Sequence, residues 1–198
     1  MKLRSILSLI ILSVILSAGS KATFAQQAPF PGFDDYVNKA IKDWEVPGMA
    51  IAVVKDDKIV FAKGYGLREI GKAAPVDEHT IFAIGSSSKA FTAASIAMLA
   101  DEGKLKWDDP VTQYLPGFQL YDPYVTRQMT VRDLLTHRIG LERGDQLWYA
   151  TAYSREEILR RIRHLEPSSS VRSKFGYQNI MFLAAGQIIP SVDRKSVV

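Results

Sequence analysis

A chain of 198 residues, 47% hydrophobic and 23% charged, has the balance of an ordinary globular protein with room for one sizeable core or part of a larger one. Its 25 basic and 21 acidic residues give a formal charge of +4, but Lys2, Arg4 and Lys21 fall in a segment read below as removable, and without them the charges nearly cancel. That leaves no case for a nucleic-acid partner, and the absence of cysteine excludes both a disulfide-stapled scaffold and a lipid-modified cysteine.

The first residues carry Lys2 and Arg4, then an apolar run from Ile6 to Leu16, then small residues ending at Ala25. This is the three-part layout of a secretory signal peptide cleaved after Ala25. The run is too short for a membrane anchor, since ~30 Å of hydrocarbon takes roughly 20 apolar residues. The expectation is a bacterial protein that is periplasmic or secreted, with no membrane span after cleavage.

Phe33 to Trp44 reads as an amphipathic helix, with Phe33, Tyr36, Val37, Ala40, Ile41 and Trp44 as its apolar stripe. Two β-rich runs follow, Met49–Val54 and Lys58–Tyr65, joined at Asp56-Asp57 as a hairpin. The first run is apolar on both faces and predicts a fully buried strand; the second alternates and suits a strand nearer an edge. A second helix spans Ser87 to Glu102 and closes at Gly103. After loops rich in Pro, Gly and Asp, a third helix starts at Thr130, with Asp133 three residues on. A fourth starts at Ser154 with Glu157 completing a capping box, carries Ile158, Ile162 and Leu165 inward, and ends at Pro167. Its Arg160, Arg161 and Arg163 read as a solvated face. A last apolar helix covers Ile180 to Ile189. Two strands cannot bury Met49–Val54 alone, so the pattern asks for more strands than these residues supply.

The chemistry concentrates in Gly85-Ser86-Ser87-Ser88-Lys89. Ser86 and Lys89, three apart, share one face of a helical turn, about 5–6 Å between Cβ atoms. A serine hydroxyl needs a base in reach, and burial would let a lysine accept a proton. A helix start also places backbone N–H groups and the positive dipole end near a developing oxyanion. The spacing alone decides nothing: with sixteen serines and thirteen lysines, about one Ser-x-x-Lys is expected by chance, and a serine before an apolar helix is a routine N-cap.

The wider context is specific. "IFAIGSSSKAFTAASIAMLADEGKLKWDDPV" resembles the nucleophile helix of the serine β-lactamase and penicillin-binding protein superfamily, in the branch related to class C β-lactamases, D-alanyl-D-alanine carboxypeptidases and esterases. The likeness continues through "AKGYG", "TVRDLLTHRIGL" and "FGYQNIMFLAAGQII", in family order, over about residues 33 to 190. It implies an α+β chain of the β-lactamase/transpeptidase-like fold, in which a helical region is inserted between N-terminal and C-terminal strands of an antiparallel sheet. It also implies Ser86 as the acylated nucleophile, Lys89 as its proton partner, Tyr177 of Tyr177-Gln178-Asn179 as a phenolate base, and Asn179 as the residue that holds Lys89 and binds substrate. Ser87 becomes a helix cap. Tyr36-Val37-Asn38 repeats the Tyr-x-Asn pattern but lies in the first helix, where Tyr36 reads as core packing. His137 with Asp133 suggests a Ser-His-Asp triad, yet the family uses no histidine there. His79 and His164 lack metal-ligand spacing, so neither metal nor organic cofactor is implied.

The family's third motif, Lys-Thr-Gly or His-x-Gly on a strand facing the nucleophile, does not follow Tyr177 in these residues. The last six residues, Asp193 to Val198, leave the family pattern and match the translation of a sequencing-adapter read. The layout expected is thus signal peptide 1–25, the N-terminal part of a hydrolase domain 26–192, and a non-native tail 193–198, a fragment unable to turn over substrate by itself. The parent is expected to hydrolyse an amide or ester of small-molecule or peptide type: a β-lactam, a D-alanyl peptide, a D-amino-acid amide or a simple ester. Two alternatives stand beside a β-lactamase: a penicillin-binding D-alanyl-D-alanine carboxypeptidase, and a non-catalytic binding module on the same fold.

Overall fold

The computed structural model describes residues 28–193; the signal-peptide reading of 1–25 and residues 194–198 of the proposed tail lie outside the described residues. The chain divides into two compact units at Ala83/Ile84.

Among the described residues the first unit is one helix and a hairpin: α1 (Phe33–Asp43), β1 (Gly48–Lys55) and β2 (Lys58–Gly66). Asp56 and Asp57 take φ of 51° and 58°, the left-handed pair that a tight turn between right-twisted strands needs. β1 and β2 pair antiparallel from Gly48↔Gly66 to Lys55↔Lys58, and the register slips between Val53 and Val54, leaving Val60 without a partner as a bulge. One face of the hairpin packs Met49, Ile51, Val53 and Phe61 against Phe33, Val37 and Ile41 of α1, with Phe33 and Phe61 edge to face at 5.4 Å. At the rim of this core Asp34 accepts bonds from Tyr65 Oη and Lys63 Nζ, both at 2.7 Å. Gly64 admits the backbone of Val76, whose carbonyl oxygen lies 2.2 Å from where a Cβ would stand.

Two expectations are corrected here. β1 is covered on one face only: Ala50, Ala52 and Val54 are exposed, as is Ile59 opposite Val54. Full burial of Met49–Val54 requires a second layer that the unit's described residues do not provide. Tyr36 is not core, being 66% exposed. At 100° per residue it sits about 60° from Phe33, at the margin of a stripe centred on Val37 and Ala40. Trp44 ends the helix as its C-cap, with φ −100° and ψ 4°, and is exposed as well.

The second unit is helical. A 3-10 turn, Gly85–Ser87, runs into α2 (Ser88–Asp101); then come α3 (Val111–Tyr114), α4 (Pro123–Gln128), α5 (Val131–Leu134), a 3-10 turn at Asp145–Leu147, α6 (Arg155–Arg161) and α7 (Asn179–Asp193). α2 and α7 bring Ile96, Leu99, Ile180, Met181, Ala184 and Ile188 into one core with Met129, Val131, Leu134, Ile158 and Ile162. Gly103 follows α2 at φ 70°, the predicted stop. At α5 the box is complete: Thr130 accepts from the Asp133 N–H and the Asp133 carboxylate accepts from the Thr130 N–H at 3.0 Å. At α6 only half forms. Ser154 Oγ accepts from the Glu157 N–H at 3.2 Å, but the Glu157 carboxylate turns to Arg160 and Arg161 instead. Ser87 makes no cap bond, because the 3-10 turn carries the chain continuously into α2. α4, unforeseen in the Pro-rich loops, begins with Asp122 accepting from the Tyr124 and Val125 N–H groups and Pro123 at the first position. α7 runs past Ile189 to Asp193, which accepts from Lys104 Nζ at 2.6 Å.

Candidate active site

All four predicted residues meet in the second unit. Ser86 lies in the turn before α2 and Lys89 in its first turn; Tyr177 lies on the loop entering α7, and Asn179 is the first residue of α7. Ser86 Oγ stands 2.7 Å from Tyr177 Oη. Lys89 Nζ donates to Ser86 Oγ at 3.1 Å and to Asn179 Oδ1 at 2.7 Å, and it sits 4.7 Å from the centre of the Tyr177 ring. A candidate nucleophile, a candidate base and a cation that favours that base's ionised form therefore form one hydrogen-bonded cluster. Gly85, at φ 51° and with nothing within 4 Å of its Cβ position, lets the turn bend ahead of Ser86 without a side chain over the cleft.

Hydrogen bonding with Lys89 and Ser86, aided by the charges of Lys89 and Arg143, holds the Tyr177 phenol below its ordinary value against the opposing effect of burial. The Arg143 guanidinium lies 5.3 Å from the Tyr177 ring centre. Behind that ring His137 stacks at 4.4 Å. Its Nδ1 accepts the Gln178 N–H at 3.1 Å, and burial together with the Lys89 charge lowers its pKa. The imidazole is therefore a neutral backstop that sets the ring and the adjoining backbone. The imagined triad is excluded by geometry. The Asp133 carboxylate is taken up by Arg172, at 2.9 Å from Nε and 2.6 Å from Nη2, and by Thr130.

That ion pair is one of several anchors on the segment carrying Tyr177. Gln178 is fully buried; its Nε2 donates to the Glu142 carbonyl at 2.8 Å, and its Oε1 accepts the Ile180 N–H at 3.0 Å, which caps α7. Asn179 Nδ2 donates to Asp145 Oδ1 at 3.2 Å. Arg143, Asp145 and Arg172 were not picked out from the sequence, since nothing in their local pattern marks them.

Ser86, Lys89, Arg143, Trp148 and Asn179 line a cleft of about 770 Å³, wide enough for a small-molecule or peptide acyl group. A separate hollow of about 410 Å³ under Leu120, Val125, Ile139 and Leu141 holds none of the four predicted residues. Among the described residues no group of three or more His, Asp or Glu is placed to hold a metal ion, and no helix is long and apolar enough to cross a membrane.

The family model described as Beta-lactamase matches residues 33–197. An unguisins hydrolase of Aspergillus campestris is 34% identical over 174 residues, covering 82% of this chain and 32% of that protein. Protein flp of Staphylococcus aureus is 28% identical over 167 residues, covering 82% and 33%. Among solved structures, the octameric penicillin-binding protein homologue from Pyrococcus abyssi superposes with a TM-score of 0.70 at 29% identity, over 82% of this chain and 39% of that one. A class C β-lactamase superposes with a TM-score of 0.66 at 25% identity, over 80% and 43%. The chain thus spans about a third of the length of the curated relatives it matches.

Proposed function

The chain belongs to the Beta-lactamase family, and from that premise we propose that it carries the nucleophile half of an exported serine hydrolase that opens amide or ester bonds through an acyl-enzyme on Ser86. The observation that carries this reading is the short contact of Ser86 Oγ with Tyr177 Oη, with Lys89 joined to both Ser86 and Asn179. Tyr177 as phenolate takes the Ser86 proton while Oγ bonds to the substrate carbonyl carbon and the carbonyl electron pair moves onto oxygen. Collapse of that tetrahedral species breaks the bond to the leaving nitrogen or oxygen, which takes the proton back from Tyr177. Water, giving a proton to Tyr177, then attacks the ester carbonyl on Ser86; collapse breaks the acyl–Oγ bond, Ser86 Oγ takes the proton back from Tyr177, and the acid leaves. Lys89 supplies positive charge beside the phenolate throughout, and the Asn179 amide holds Lys89. The whole protein is the unit expected to turn over.

The names of the relatives span hydrolase, penicillin-binding homologue and β-lactamase, which supports an amide or ester of acyl-transfer type: a β-lactam, a D-alanyl peptide or an ester. Export rests on the basic, apolar and small-residue succession that ends at Ala25. The test is acylation of the full-length protein by a fluorescent penicillin and by a p-nitrophenyl ester, with the adduct located by peptide mass. An adduct on Ser86 that disappears in Ser86→Ala is expected. Product release unchanged in Ser86→Ala would refute the mechanism and favour a non-catalytic role for this site. The penicillin-binding reading, supported by the likeness to the Pyrococcus abyssi homologue, is separated by deacylation, since a lasting adduct belongs to a penicillin-binding enzyme.

A further inference from the structure

We propose that Asp145 is a positioning residue of this site, fixing the orientation of the Asn179 carboxamide so that its oxygen, never its nitrogen, faces Lys89. The inference rests on the acyl-transfer reading above for its consequences in rate, but its geometry stands independently.

Asn179 lies between Lys89 Nζ, 2.7 Å from its Oδ1, and Asp145 Oδ1, 3.2 Å from its Nδ2. A lysine side chain presents hydrogen atoms and an ionised carboxylate presents only lone pairs. An amide between the two satisfies both in one orientation alone; turned over, it would set N–H against N–H and oxygen against oxygen. Without the carboxylate only Lys89 still favours that orientation, the outer end of the amide turns to water, and the two-sided hold on the carboxamide is lost.

Asp145 is built to stay ionised and in place. It opens the 3-10 turn Asp145–Leu147, its backbone carbonyl accepting from the N–H groups of Trp148 at 3.1 Å and Tyr149 at 2.8 Å. Its Oδ1 also accepts the Trp148 indole N–H at 3.1 Å, and its Oδ2 accepts from Arg143 Nε. Burial pushes the carboxyl up, but the bonds from Asn179, Arg143 and Trp148 outweigh it and hold it below its usual range. The same Arg143 lies over the Tyr177 ring, so one loop, residues 143–148, reaches both the phenol and the amide that holds Lys89. The groups facing Tyr177 are Ser86 and Lys89 from the start of α2, Arg143 from this loop, and neutral His137 behind the ring. Of these, Lys89 is the one whose position depends on Asn179.

The test is Asp145→Asn, which keeps the shape and the backbone turn but supplies an amide able to donate or accept. Tyr177 is titrated by its phenolate absorbance, taking Tyr177→Phe as the blank. The expected result is a Tyr177 pKa higher than wild type, with each unit of rise cutting the phenolate present at neutral pH about tenfold. In the full-length protein kcat should fall by the same factor at neutral pH, recover as the pH is raised, and leave KM little changed. Asp145→Asn should cost nothing further in an Asn179→Ala background, because the effect passes through that amide. Should Asp145→Asn not fold, hydrogen exchange of the Asn179 carboxamide in the wild-type protein decides. Protection is expected, and the fast exchange of a free surface amide would overturn the proposal. An unmoved Tyr177 pKa, or a loss of rate equal at all pH values, would overturn it too. A protein that hydrolyses nothing yet shows the Tyr177 shift would refute the hydrolase reading and leave the positioning role standing.

Discussion

Arg172→Ala should loosen the segment that presents Tyr177. The Asp133 carboxylate, 6% exposed, accepts Arg172 Nε at 2.9 Å and Nη2 at 2.6 Å, and from Thr130 the backbone N–H at 3.0 Å and the hydroxyl at 2.8 Å. Hydrogen bonds to charged groups contribute about 1.5–3 kcal/mol each, and breaking a fully buried pair costs about 3–5 kcal/mol. Both figures need discounting, since the Arg172 side chain is 48% exposed and Thr130 keeps two acceptor positions filled; a loss of about 2 kcal/mol is expected. Urea unfolding followed by tryptophan fluorescence reads it, as does a fall in Tm of roughly 4–8 °C. The pH dependence supplies a second check. Burial raises the Asp133 carboxyl, but the bonds from Arg172 and Thr130 and the Arg172 charge outweigh it and leave the pKa lowered. A carboxyl depressed on folding stabilises the fold above its unfolded pKa of about 3.9, and that stabilisation is lost as pH falls through the folded value. Without Arg172 burial remains while the main opposing cause is gone, so the acid limb of the stability profile should begin at a higher pH. A stability change under about 0.5 kcal/mol, or an acid limb that does not move, would refute this account of the anchor.

Lys89→Met should raise the Tyr177 pKa toward that of a free phenol, because it removes the largest cause of the lowering; an unmoved absorbance titration would exclude Lys89 as the group that favours the phenolate. Gly140→Ala should cost about 2–5 kcal/mol in the same urea assay. The residue sits at φ +81°, and an added Cβ would stand 2.1 Å from the Ser169 carbonyl oxygen. Stability within error of wild type would mean the 168–170 loop is free to shift. Ser154→Ala should cost about 1 kcal/mol, the ordinary worth of an N-cap, because Ser154 Oγ accepts the Glu157 N–H; no measurable loss would mean that water replaces the cap.

How much of this was legible in the sequence follows the range of each interaction. The hairpin, α2, α7 and the caps at Thr130 and Ser154 come from signals within a few residues: alternation, helical spacing, a turn pair, a hydroxyl before an apolar run. Ser86 and Lys89 are local in the same sense, yet their spacing was uninformative by itself, and the family resemblance was what joined them to Tyr177 and Asn179, some 90 positions away. Nothing local marks Asp133 as the partner of Arg172, 39 residues on, or Asp145 as the partner of Asn179, 34 residues on. Asp133 even suggested a triad with His137 because they stand one turn apart; the family resemblance argued against it, and the competing guanidinium of Arg172 excludes it. The misplacement of Tyr36 is the opposite error, a helical spacing pressed to the margin of its stripe where 60° separates core from solvent.

These long-range bonds share a destination. Ser86 and Lys89 sit at the start of a 14-residue helix packed on the core, whereas Tyr177 and Asn179 arrive on a loop whose backbone is fixed at His137, Gly140 and Arg138. Its side chains are fixed at Asp133, Glu142 and Asp145. A contact of 2.7 Å between Ser86 and Tyr177 survives thermal motion only if both sides are held to a fraction of an ångström. The helix meets that demand through apolar packing, and the loop meets it through polar bonds to 130–145. Substitutions of Asp133, Gly140 or Asp145 in that strip should therefore disturb the Ser86–Tyr177 contact, and with it the proposed proton transfer, although none of the three lines the cleft.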